Sequence, residues 1–276
     1  MIPSNDAASV GRLLRAWRTA RKKSQLALAG EAGISSRHLS FVETGRSRPS
    51  RQMVLALAEA LRVPLRERNK LLVAAGFAPA YRETPLDAPP MAEVRNALSH
   101  ILAASEPNPT FVVDRRYDIL LTNDAGLRLL AFFAPQWRGK NNMALMVLSP
   151  LGLKPALENW AEVATKVVRR VRGELALVGQ DLDAADEAIL RSTIEVEAEL
   201  EDVSPREGRP PSILVPVKLR RDELVLEMFT TITTVGTPLD ITLQEVRIET
   251  LFPATREARD ALAMVMRAEG SEGEVV

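Results

Sequence analysis

Arg37 is the side chain in this sequence best placed to reach another molecule, because Ser36, Arg37, Ser40 and Phe41 share one face of a short helical pattern whose opposite face holds Leu39 and Val42. A guanidinium at the start of such a helix can take guanine O6 and N7 with two parallel hydrogen bonds. Ser36 and Ser40 add hydroxyls, and Phe41 can meet a thymine methyl. His38 fits a phosphate-contacting or plain surface role as readily as base recognition. Ser24 and Gln25 at the start of one helix, Ser35 at the start of the next, and Arg46 and Arg48 beyond it are suited to hold phosphates. Together these types describe recognition of duplex DNA: phosphate contacts fix register and base contacts choose sequence.

The elements that must position them are legible from packing constraints. Ser24 is a good N-cap for a helix from Gln25 to about Glu31, in which Leu26, Ala29 and Gly30 can face inward. Gly33 falls where the tight turn needs a positive φ, which a Cβ makes costly. Ile34 plugs the turn. Ser35 or Ser36 caps the second helix, with Leu39 and Val42 buried three residues apart. Upstream, Val10, Leu13, Leu14 and Trp17 mark one face of a first helix; downstream, Met53, Val54, Leu57, Ala58 and Leu61 mark a fourth, and Leu71, Leu72 and Ala75 a fifth that starts at Pro64 and ends at Gly76.

Charge supports the same partner. The chain has 276 residues and no net charge, with 36 basic and 36 acidic groups, but they are unevenly placed. Residues 1–75 hold 14 Lys and Arg against 5 Asp and Glu, a net +9, and the remainder holds 22 against 31, a net −9. A polyanion is the natural partner of the first part, with an affinity that falls steeply with salt. The absence of cysteine removes disulfides, thiolate catalysis and cysteine-held metals, and two histidines, His38 and His100, are too few for a histidine-built metal site. No catalytic residues emerge: Ser99, His100 and Ser105 have no orienting carboxylate, and Glu195, Glu197, Glu199 and Glu201 are a solvated acidic run. With no long apolar span and no signal-peptide pattern at the start, a soluble cytoplasmic protein is expected.

The run from 24 to 45 resembles the helix-turn-helix of the Xre family and lambda-type repressors, through Ser24, Gln25, Ala29, Ala32, Gly33, Ile34, Ser35, Leu39, Glu43 and Gly45. In that family the glutamate pairs, nearly buried, with an arginine of the first helix, which implies Arg18 as the partner of Glu43.

After a proline-rich stretch, short β patterns at 110–113 and 118–122 lead into an Asn123- or Asp124-capped helix. Long helices follow near 155–177 and 184–200, then three alternating strands: Ile213 to Leu219, Leu224 to Ile232 and Val246 to Phe252. This order resembles a PAS domain. The segments RHLSFVETGRSRPS at 37–50, PLRERNKLLVAAGFAPAY at 64–81, VVDRRYDIL at 112–120 and SPLGLKPALENW at 149–160 resemble, more closely, Xre-type regulators with a MmyB-like ligand-binding domain. Members of that family commonly carry a histidine before the proline of the last of these motifs, where this chain has Ser149. The expected fold is α+β: an all-α five-helix helix-turn-helix domain over 1–76, a linker over 77–92, a PAS-like domain with a five-stranded antiparallel sheet over 93–268, and a disordered tail over 269–276.

The resemblance implies a transcription regulator that binds operator DNA as a homodimer, with no metal or cofactor and no membrane partner, modulated by a small apolar ligand such as a fatty acid or acyl chain. Candidate pocket residues are Phe111, Val113, Leu120, Trp137, Met143, Met146, Trp160, Leu226, Met228, Val246 and Ile248, although residues of these types, taken singly, are more often ordinary core. The competing expectation is an interaction protein or antitoxin-like DNA binder whose second domain only dimerises or holds a protein partner.

Overall fold

In the computed structural model the chain divides into two compact units, residues 1–84 with 237–244, and residues 85–236 with 245–276. The structure describes residues 6–178, 184–202, 216–236 and 238–268. Residues 1–5, the tail at 269–276 and the residues Ile213 and Val215 lie outside them; the amino-acid pattern leads one to expect a frayed terminus over 1–8, but the helix already begins at Asp6.

The first unit holds five helices: α1 (Asp6–Ala20), α2 (Gln25–Glu31), α3 (Ser36–Glu43), α4 (Arg51–Ala60) and α5 (Leu65–Ala74). Three starts are capped by a serine side chain: Ser24 accepts from Ala27 N, Ser35 from His38 N and Ser50 from Met53 N. Each replaces a partner that the first turn lacks. One core of Val10, Leu14, Leu28, Leu39, Val42, Val54, Leu57 and Leu72 joins all five helices, with Trp17 and Ile34 packed at its edge. The turn between α2 and α3 uses Gly33 at φ +68° as the sequence required.

Three inward assignments change. Leu26 is 75% exposed and Leu28 takes the buried place beside Ala29, while a Cβ on Gly30 would meet no atom within 4 Å. In a helix of seven residues both registers satisfy a three- or four-residue spacing, so periodicity alone does not choose between them. The tight crossing that α3 requires comes from Gly11 of α1, where an added Cβ would lie 2.3 Å from Val42 O. Leu13 is half-turned to solvent, 38% exposed.

Residues 77–84 pack with this unit: Asn69 donates to Tyr81 O and accepts from the Ala80 and Tyr81 amides. The unit is completed by residues from late in the chain. Asp240 accepts from the Thr84 hydroxyl at 2.7 Å, and Gln244 Oε1 accepts from Leu65 N at 2.6 Å.

The second unit opens with α6 (Ala92–Ala104) and a hairpin of β1 (Thr110–Val113) and β2 (Ile119–Thr122). Helices α7 (Asp124–Phe133), α8 (Met143–Leu148), α9 (Trp160–Val178) and α10 (Ala184–Asp202) follow. Then come β3 (Val217–Arg221), β4 (Leu224–Thr234), β5 (Arg247–Pro253) and α12 (Arg256–Arg267); α11 (Ile241–Glu245), between β4 and β5 in the chain, has its residues 241–244 in the first unit. The five strands form one antiparallel sheet in the order β2-β1-β5-β4-β3, so the fold is α+β.

Alternation along the strands gives the sheet two apolar faces. Phe111, Val113, Leu226 and Met228 meet α7, α8, α9 and α12 in the main core, while Val112 and Ile248 meet Leu98 and Leu102 of α6 on the other side. Asn123 is the hinge of the entry: its Oδ1 accepts from the amides of both Gly126 and Thr110 at 2.9 Å, tying the start of α7 to β1.

Candidate nucleic-acid interface and the interior of the second unit

The reading face of α3 stands on a braced base. Arg18 Nε donates to Glu43 Oε1 at 2.6 Å and Nη2 to Oε2 at 2.9 Å, and Arg18 Nη1 reaches Lys23 O at 2.9 Å. Gln25 Nε2 adds a bond to Glu43 Oε2 at 2.8 Å. The Glu43 side chain is 1% exposed. Burial alone would push its carboxyl up, but the hydrogen bonds from Arg18 and Gln25, with the charges of Arg18 and Arg15, outweigh it and hold the group below the usual carboxylate value. One buried carboxylate therefore locks the end of α3 to α1 and to the start of α2.

With its inner face locked, α3 leaves Ser36 and Arg37 exposed and His38, Ser40 and Phe41 partly so. The Arg37 guanidinium lies 5.4 Å from the centroid of the Phe41 ring, a cation–π contact that holds the side chain along the helix. This restricts the rotamers Arg37 must give up on meeting a base. The hydroxyls of Ser24 and Ser35 are spent as cap acceptors, but each keeps its own proton to donate. Arg46 and Arg48 project from the turn after α3, where Gly45 takes φ +74° and the Arg46 and Ser47 amides both reach Phe41 O. Gln25 is turned inward to Glu43, a second tie that spacing did not reveal because it joins residues 18 apart in sequence.

The proposed pocket residues of the second unit divide between two clusters. Phe111, Val113, Met146, Leu226 and Met228 are buried in the main core, with Trp137, Met143 and Trp160 packed against its edge. Val246 and Ile248, with Leu120 beside them, belong to the α6 cluster on the opposite side of the sheet. The Trp160 indole donates to Val147 O at 3.0 Å and carries Lys154 Nζ over its ring at 3.9 Å, so it is held as a packed residue.

Charges occur inside this unit as well. Arg170 Nη1 lies 3.6 Å from Glu249 Oε1, Arg247 pairs with Glu174, and Arg116 Nε meets Asp186 at 2.9 Å. Burial pushes the Glu249 carboxyl up despite Arg170 and Arg247, and burial followed by the Glu249 charge pushes the Tyr117 hydroxyl up to about 12. Tyr117 adopts φ +66° in the β1–β2 hairpin. Among the described residues no group of three His, Cys, Asp or Glu side chains is arranged to hold a metal, and no helix is long and apolar enough to cross a membrane.

Residues 9–71 match the family described as helix-turn-helix domain, and residues 94–264 match the MmyB-like transcription regulator ligand binding domain. None of the curated proteins matches the chain. Among solved structures, the restriction-modification controller protein C.AhdI from Aeromonas hydrophila is 36% identical over 23% of this chain and 96% of its own, with a TM-score of 0.22. The ligand-binding-domain match runs over more than half of the chain and the helix-turn-helix match covers the braced α2–α3 pair, so the protein belongs to the MmyB-like family of DNA-binding transcription regulators.

Proposed function

We propose that this regulator binds operator DNA as a homodimer, reading bases with the N-terminal part of α3, and that a small apolar molecule in its second unit modulates the binding. The observation that carries the DNA half is the Arg18–Glu43–Gln25 brace beneath an exposed, stacked Arg37. Arg37 takes the base edge, Ser36, Ser40 and Phe41 support it, and Ser24, Ser35, Arg46, Arg48 and His38 face the phosphates. A single module of this size covers too little DNA for tight binding, and two half-sites about one helical turn apart multiply affinity. The ligand acts by shifting the equilibrium between dimer geometries that fit that spacing and those that do not.

Selection of bound duplexes from a random pool tests the reading. It should return paired half-sites spaced by about one helical turn. Single, unpaired sites or no enriched sequence would reject it.

The burial of Phe111, Leu226 and Met228 together in the main core favours a second reading, in which the second unit only dimerises or holds a protein partner. Native mass spectrometry separates the two, since only the first predicts a retained small molecule on the purified dimer.

A further inference from the structure

A groove of about 600 Å³ lies in the second unit beside α12, floored by Phe229 of β4 and Phe252 of β5 and walled by Leu262 and Met266, with Arg259 and Arg267 at its sides. Its volume falls in the range of small-molecule sites. Phe229 and Phe252 are paired across the sheet and their rings stack with centroids 5.5 Å apart and planes 25° from parallel. The other lining residues are Pro107, Asn108, Pro253 and Ala263, so the surface is apolar with two cations and no acid. None of the core residues expected to line a pocket is among them.

The two arginines are not equivalent. They stand eight residues apart on α12, about 12 Å along its axis. Arg267 is in the last turn, where the negative end of the helix dipole favours a cation. Arg259 is in the first turn, where the same dipole disfavours one, and neither forms a salt bridge with a described residue. Arg259, at the end of an apolar groove, presents its cation to an anion brought from outside. A guanidinium there can hold a carboxylate, sulfonate or phosphate with two charge-assisted bonds.

We propose that this groove binds a molecule with an apolar body and one anionic group, the body over the Phe229–Phe252 stack and the anion against Arg259. The inference rests on the reading of the second unit as ligand-taking, and it adds the place of the ligand and the side chain that meets its anionic group. The arginine stems could instead merely cover apolar surface, and the test separates that case.

Two fluorescent probes share one ring skeleton: 1-anilinonaphthalene-8-sulfonate is an anion and N-phenyl-1-naphthylamine is uncharged. Both should bind the full-length protein saturably. Arg259→Gln should weaken the sulfonate by about tenfold, the scale of one charge-assisted bond, while the neutral amine changes less than about twofold. Arg267→Gln should leave the sulfonate within about threefold. Ala263→Trp, which fills the groove, should abolish both, with circular dichroism unchanged.

Equal responses of the two probes to Arg259→Gln overturn the anionic site but leave an apolar ligand in the groove. Binding that survives Ala263→Trp overturns the groove itself. Saturable binding of neither probe overturns the inference, while the ligand-taking reading is decided separately by native mass spectrometry. If Ala263→Trp converts a dimer to a monomer in sedimentation, the groove is an interface between copies and the proposal fails.

Discussion

Arg18 of α1 and Glu43 of α3, 25 residues apart, are joined by two hydrogen bonds of 2.6 and 2.9 Å, and the carboxylate they share is 1% exposed. Removing one partner of such a pair leaves the other charge poorly compensated. Glu43→Ala should therefore destabilise the first unit by about 3 kcal/mol. Differential scanning calorimetry checks this, and Glu43→Gln should cost less because it keeps the shape and one acceptor.

The same pair sets an acid limit. The Glu43 carboxyl is held below its unfolded value of 4.5, so its contribution is fully present above that value and is lost as pH falls through the lower folded value. The stability gap between wild type and Glu43→Gln should be constant near neutrality and shrink below about pH 4.5. A gap that widened on acidification would reverse the assigned sign.

Glu249 should behave oppositely. Burial raises its carboxyl above 4.5, so the stabilisation it gives is present in full below that value and lost as pH rises through the folded one. Compared with Glu249→Gln, the wild type should lose relative stability as pH rises from about 4 toward neutrality. Urea unfolding at a series of pH values measures the difference.

Gly11 and Gly30 make a paired test of packing. A Cβ at Gly11 meets Val42 O at 2.3 Å, so Gly11→Ala must push α1 from α3 and should cost about 1–3 kcal/mol. A Cβ at Gly30 meets nothing within 4 Å, so Gly30→Ala should stabilise α2 by about 0.5–1 kcal/mol. Denaturant midpoints of the two variants should move in opposite directions.

What the sequence made legible was what local rules determine. Gly33, the capping serines and the Leu39–Val42 face each follow from spacing within a few residues, and so did the outward set around Arg37. Arg18 with Glu43 came from family resemblance and is present with both bonds. Leu26 was misplaced because seven residues cannot separate two helical registers. Gly11 was passed over because its reason lies in a carbonyl thirty-one residues on.

The second unit shows the larger limit. Strand alternation marks Leu226 and Met228 as inward, and they are, but being inward does not distinguish a filled core from a cavity wall. The groove is assembled from the segment before β1, from β4, β5 and α12, and no pattern within any one of them announces it.

The central claim is that Arg37, held on Phe41 above the Arg18–Glu43 brace, reads a base. Fluorescence anisotropy on selected operator duplexes, with every base pair of a half-site varied, tests it most directly. Arg37→Ala should lose about 1–3 kcal/mol of preference at one defined pair while retaining salt-sensitive binding to unrelated DNA. An unchanged base preference in Arg37→Ala would contradict the account.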